Sequence, residues 1–100
     1  MKYVLLSADS VLSVYSVPEI VAENLSEYCW EFAGKWLWKS PHAKKYHIGM
    51  GVCYTEQDFI EYLNTWVYPD KPSLLIETLE DVYDMTSVPQ KYKHCEWFNF

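Results

Sequence analysis

The sequence predicts an α+β fold in which a small antiparallel sheet packs against one long helix and two shorter helices. Two β-branched and aromatic runs open the chain, a long stretch of helical periodicity follows Pro18, and two further helix starts come later. The chain has 100 residues, half of them apolar and 22% charged. This length and composition predict a single globular domain over residues 1–100.

The first two strands are predicted to form a hairpin. Residues 2–6 and 11–17 are the apolar runs, and residues 7–10 between them have turn chemistry. Residues of the second run alternate between two sides, which predicts one buried face. A short third strand is predicted over residues 51–54, after a loop over residues 42–50.

Pro18 is suited to the first turn of the long helix, which is predicted to reach about Ala33, with an extension past Gly34 to Lys39 left open. One stripe about 100° wide collects its core side chains. These are Val21, Leu25, Tyr28, Cys29, Phe32 and Trp36. Acidic side chains step by four along the other side, and lysines continue the series. These are Glu19, Glu23, Glu27, Glu31, Lys35 and Lys39.

Residues 55–58 resemble a capping box and open the second helix, which Pro69 ends. Residues 70–73 are predicted to open a third, shorter helix. A strand over residues 74–79 is the competing interpretation, because short apolar runs do not distinguish the two. The tail ends in Trp97, Phe98 and Phe100, and we expect it to be pinned to the body of the domain.

Charge and cysteine content narrow the function classes. The chain has no arginine, and eight lysines stand against 14 acidic residues for a net charge of −6. This argues against direct nucleic-acid binding. No apolar stretch is long enough to span a bilayer, so we expect no membrane association. An odd number of cysteines and no signal peptide predict a cytoplasmic protein, and no cofactor is predicted.

The leading functional interpretation is a non-enzymatic module that binds another protein. Trp30, Leu37 and Trp38 lie off the core stripe, on or near the side of the acids Glu19, Glu23 and Glu27. Either these apolar side chains pack under the C-terminal aromatics, or they form an exposed patch ringed by acids, as binding surfaces do.

Two other interpretations remain open. No acid occurs between Glu31 and Glu56, a stretch with four lysines, and a nucleotide-like anion would bind there. The ligand-binding candidates are His42, Lys44, Lys45 and Tyr46.

The second of these interpretations is a Cys/His metal-dependent enzyme. Its candidate metal ligands are His42, His47, Cys53, His94 and Cys95. Their spacing lacks the repeat of a paired-ligand zinc site, so we predict no metal site and no catalytic residue.

Four segments together resemble a family of small uncharacterised bacterial proteins found in anaerobic gut bacteria and their mobile elements. The segments are residues 2–10, 39–46, 58–66 and 98–100. The resemblance implies an intracellular bacterial or phage-related origin, in keeping with an inhibitor or adaptor. It transfers no catalytic residue.

Overall fold

A computed structural model describes residues 1–8 and 11–100 and shows an α+β fold built on a four-stranded mixed sheet. The strands are β1 (Lys2–Ser7), β2 (Ser13–Val17), β5 (Leu74–Thr78) and β6 (Glu96–Asn99). They lie in the order β5-β2-β1-β6. The predicted hairpin is present, since β1 and β2 pair antiparallel. Its predicted turn includes Asp9 and Ser10, which lie outside the described residues.

Two features of the predicted sheet are wrong. The sheet is mixed rather than antiparallel, because the C-terminal strand β6 pairs parallel to β1. The central hairpin is also buried on both faces, not one. Val4 and Leu6 face the helices, whereas Leu5 and Val14 face a second, smaller cluster. The chain between β5 and β6 covers that second face with Leu79, Val88 and Tyr92.

The predicted long helix is divided. Helix α1 (Glu19–Glu23) ends at Asn24, whose backbone leaves helical geometry and whose side-chain amide donates to the Ile20 carbonyl at 3.0 Å. Such local side-chain bonds compete with helix continuation. Helix α2 (Leu25–Glu31) then runs through a π-helical turn (Phe32–Trp36) into α3 (Leu37–Lys39). The extension past Gly34 is therefore confirmed.

The π-helical turn changes which side chains face the core. The predicted stripe holds, with Val21, Leu25, Cys29 and Phe32 all buried. Leu37 is fully buried as well. The alternative that placed Leu37 in an exposed patch is therefore wrong, because the wider turn rotates the residues after it relative to a regular α-helix.

The remaining elements connect helix and sheet. A 3₁₀-helix (Pro41–Tyr46) leads to a separate two-stranded ribbon of β3 (His47–Ile48) and β4 (Gly51–Val52). Helix α4 (Glu56–Tyr62) starts at the predicted capping box, with both Thr55 and Asp58 bonds formed. It continues in a second π-helical turn, Leu63–Val67. Two 3₁₀-helices, Met85–Ser87 and Gln90–Tyr92, precede β6.

The predicted third helix is wrong, and the competing strand is present as β5. The Asn64 side chain holds the backbone of Ser73, accepting from its N–H at 2.6 Å and donating to its carbonyl at 3.0 Å. These two hydrogen bonds fix the backbone just before β5, which pairs antiparallel with β2.

The hydroxyl of Tyr15 is a buried polar group without a hydrogen-bond partner among the described residues. Burial first, and the nearby Glu56 carboxylate second, raise the pKa of Tyr15 to about 12. Glu56 is itself buried, although it lies in the first turn of α4. The hydroxyl thus carries a desolvation cost that no bond offsets.

We therefore expect Tyr15→Phe to raise the free energy of unfolding by about 1 kcal/mol at neutral pH. Tyr15 ionises near pH 10 in the unfolded chain but only near pH 12 in the folded one, so the stability of the wild type falls as the pH rises from 10 toward 12. Urea unfolding at pH 7 and at alkaline pH would show the gain and a shallower alkaline decline in the variant. A loss of stability at pH 7 would show that the hydroxyl has a stabilising partner.

Candidate interaction surface

The outer face of α1 and α2 carries the acidic series predicted from the sequence. Lys2 of β1 lies between Glu19 and Glu23, with its ammonium 3.5 and 3.3 Å from their carboxylates. The predicted pair of Glu31 and Lys35 is formed at 3.4 Å. Within the described part of the chain, Glu27 has no ion pair. It is therefore an acid of this face whose charge no lysine neutralises.

Trp30 stands on this face with 64% of its surface exposed. Its ring meets Phe98 of β6 edge-to-face, with centroids 5.7 Å apart, and a Cβ at Gly34 would lie 3.9 Å from it. Both predicted alternatives are thus partly realised, since the C-terminal aromatics support Trp30 without covering it. The Trp30 ring is packed against Phe98 and Gly34 on one side and exposed on the other. Such a ring can contact a partner with little loss of conformational entropy.

A shallow cleft of about 340 Å³ adjoins the acids of this face, lined by Ile20, Asn24, Glu27, Tyr28 and Glu31. The hydroxyls of Tyr28 and Tyr68 hydrogen-bond at 2.7 Å, and this bond, with burial, raises the pKa of Tyr28 to about 12. Hereafter the Trp30 surface means Ile20, Glu23, Glu27, Trp30 and Glu31. It combines exposed apolar area with three carboxylates, of which Glu27 has no lysine partner among the described residues.

The structure does not bring all the predicted interaction residues together. Glu19, Glu23, Glu27 and Trp30 share α1 and α2, whereas Leu37 is buried in the core. Trp38 is half-exposed, but its ring contacts His47 of β3 at a centroid distance of 6.1 Å.

Two exposed apolar residues close to these elements were not predicted from the sequence. Ile20 is half-exposed, and its place one residue before Val21, off the core stripe, was a usable signal. Trp97 is also half-exposed, while Phe98 and Phe100 pack against the core. This alternation has the period of a strand and would have predicted β6.

The predicted anion site is assembled only in part. His42, Lys45 and Tyr46 line a cleft of about 180 Å³ with Trp36, Glu61, Tyr62, Thr65 and Trp66. Lys45 is paired with Glu61 at 3.5 Å, and His42 stacks on Trp66 with centroids 4.2 Å apart. Lys44 is not among the lining residues. The cleft is smaller than typical ligand sites, and its one lining lysine already has a carboxylate partner.

The candidate metal ligands are dispersed. Over residues 1–8 and 11–100, no three His, Cys, Asp or Glu side chains are placed to share a metal ion. His47 Nε2 instead lies 2.6 Å from the Leu37 carbonyl, and Cys29 is buried, which raises the pKa of its thiol. Cys53 is exposed.

Comparison of the chain with protein-family models, curated proteins and solved structures finds no match. The resemblance to small bacterial proteins therefore stays a prediction. None of the described helices is long and apolar enough to cross a membrane.

Proposed function

We propose that this protein is a non-enzymatic interaction module that binds a basic partner protein through the Trp30 surface and acts as an inhibitor or adaptor. The observation that carries the proposal is Trp30, which is 64% exposed yet supported by Phe98 and Gly34. Tryptophan is enriched among the residues that dominate binding energy at interfaces. A partner would cover the ring that the fold leaves open.

Charge supports a basic partner. Glu27 and Glu31 flank Trp30 on α2, and Glu27 has no ion pair among the described residues. The whole protein carries a net charge of −6. An acidic surface of this kind steers a basic partner toward it and raises the association rate. Lysine or arginine side chains of the partner would also stack on the exposed indole ring. The partner is proposed to be cytoplasmic, in keeping with the three free cysteines.

The test compares the wild-type protein with two matched tryptophan variants as baits in a lysate of the source cells. We expect Trp30→Ala to weaken capture of a stoichiometric basic partner by about 30-fold, as loss of about 2 kcal/mol at a hot spot does. Trp66→Ala removes a half-exposed tryptophan from the His42 stack and should leave capture unchanged. Equal capture by Trp30→Ala and the wild type would contradict the proposal.

Charge reversal tests the electrostatic part. Glu27→Lys changes an acid of the surface, whereas Asp70→Lys makes the same change in net charge at an exposed turn elsewhere. With the purified partner, we expect the association rate to fall several-fold for Glu27→Lys at low salt and little for Asp70→Lys. The difference should shrink as salt rises. Equal effects of the two variants would assign the steering to net charge alone.

A further inference from the structure

The two-stranded ribbon of β3 and β4 carries exposed apolar side chains at its turn. Met50 is 99% exposed and Ile48 is 67% exposed. Gly49 and Met50 connect the two strands, and Gly49 has the φ of +60° that a two-residue hairpin turn needs at its first central position. An apolar side chain as exposed as Met50 projects from the surface instead of lining a groove. It would be stabilised by transfer out of water.

The base of the ribbon is aromatic and basic. His47 Nε2 lies 2.6 Å from the Leu37 carbonyl, and the ring of Trp38 meets His47 edge-to-face. These contacts bring the end of α3, including Lys39, beside the ribbon, and the 3₁₀-helix with Lys44 leads directly into it. Both lysines are exposed, and neither forms an ion pair with the rest of the described chain.

We propose that the tip of this ribbon inserts into the surface of a bilayer containing anionic lipids, with Lys39 and Lys44 at the level of the headgroups. Interfacial anchors combine apolar side chains that enter the acyl boundary with lysines that attract anionic lipid. Trp38, which is 49% exposed beside the ribbon, belongs to a residue type enriched at membrane interfaces.

Charge favours anionic lipid as the occupant. No acid occurs from residue 32 to residue 55, so this region is basic although the whole chain carries a net charge of −6. Lys45 contributes less than its neighbours, because Glu61 already pairs with it at 3.5 Å. The acidic remainder of the chain would be repelled by an anionic surface, which orients the basic ribbon toward it.

The membrane proposal and the function proposed above use different residues. Trp30 belongs to α2 and contacts Phe98 of β6, whereas the membrane contact uses the ribbon and the lysines at its base. Binding at a bilayer surface needs no spanning helix, and the sequence-based expectation of no membrane association concerned spanning segments alone. Either proposal can therefore fail without the other.

Vesicle flotation of the full chain tests the apolar tip. At low salt we expect the protein to float with vesicles of phosphatidylcholine and phosphatidylglycerol in equal parts, but not with phosphatidylcholine alone. Met50→Asp should weaken binding by about tenfold or more, as loss of one inserted apolar side chain does. Tyr83→Asp makes the same charge change at a 67% exposed residue outside the ribbon and should bind like the wild type.

A pair of double variants tests the lysines. Lys39→Gln with Lys44→Gln should weaken binding to the anionic vesicles by about 25-fold, because each lysine near such a surface contributes about fivefold. Lys71→Gln with Lys93→Gln removes the same charge from exposed positions elsewhere and should have little effect. Equal losses in the two double variants would overturn the assignment of the basic surface.

A fluorophore at the tip tests insertion itself. With Cys53 and Cys95 changed to serine and Cys29 buried, Met50→Cys is labelled with an environment-sensitive dye, and Gln90→Cys is the exposed control. We expect the anionic vesicles to shift the emission of the Met50→Cys label to the blue and to leave the control unchanged. Flotation without that shift, or flotation that Met50→Asp retains in full, would overturn the proposal. Failure of the wild type to float would overturn it in favour of an acidic protein as the partner of the ribbon.

Discussion

Replacing Phe32 with alanine is expected to lower the free energy of unfolding by about 3–5 kcal/mol, the largest loss of any single substitution considered in this protein. Phe32 is fully buried where the π-helical turn begins. Its ring centroid lies within 5.1 to 6.0 Å of five other aromatic rings. They belong to Trp36, Tyr54, Phe59, Tyr62 and Phe100. Removing Phe32 leaves a cavity that rings from four different segments cannot all move to fill.

Urea unfolding followed by circular dichroism would measure this loss against a matched control. Trp66→Ala removes a larger aromatic side chain that is half-exposed and stacks on His42, so it should cost about 1 kcal/mol or less. Since about 1 kcal/mol shifts the melting temperature of a domain of this size by about 4–8 °C, Phe32→Ala is expected to lower the melting temperature by tens of degrees. Similar losses for the two variants would show that the aromatic cluster is not the centre of the core.

Deleting residues 96–100 is expected to abolish cooperative unfolding. The deletion removes β6, which pairs with β1 from Val4 to Ser7. It also removes the bond from the Ser7 hydroxyl to the Asn99 side chain, at 2.8 Å, and two phenylalanines that pack on the core. The buried strand β1 would become an exposed apolar edge, which promotes aggregation.

Differential scanning calorimetry would show this as the loss of the unfolding peak. Trp97→Ala is the matched control, because Trp97 belongs to the same strand and is half-exposed. It keeps the backbone of β6 and should lower the melting temperature by only a few degrees. A truncated protein that melts with the wild type would show that β6 is dispensable, and that the tail is not pinned in the way the fold indicates.

The interaction surface was partly predictable from the sequence. The acids and Trp30 recur on one side of a helix, and helical geometry alone brings them together. The exposure of Trp30 was not decided locally, because it depends on where Phe98 packs. Leu37 is buried in the core because a π-helical turn between Phe32 and Trp36 changes the angular phase of the helix, whereas Trp38 stays off the core stripe as predicted.

Features that depend on neighbours in the chain were predictable from the sequence. The β1–β2 hairpin, the core stripe of α1 and α2, the capping box at Thr55 and the Glu31–Lys35 pair all depend on spacings of a few residues. Long-range pairing and packing were needed to make residues 74–78 a strand, to set β6 parallel to β1 and to bury the hairpin on both faces. The two groups of features differ in how far apart in the chain the interacting residues lie. Short apolar runs have no conformation of their own, and the partners that give them one lie far away in the chain, as Asn99 does from Ser7.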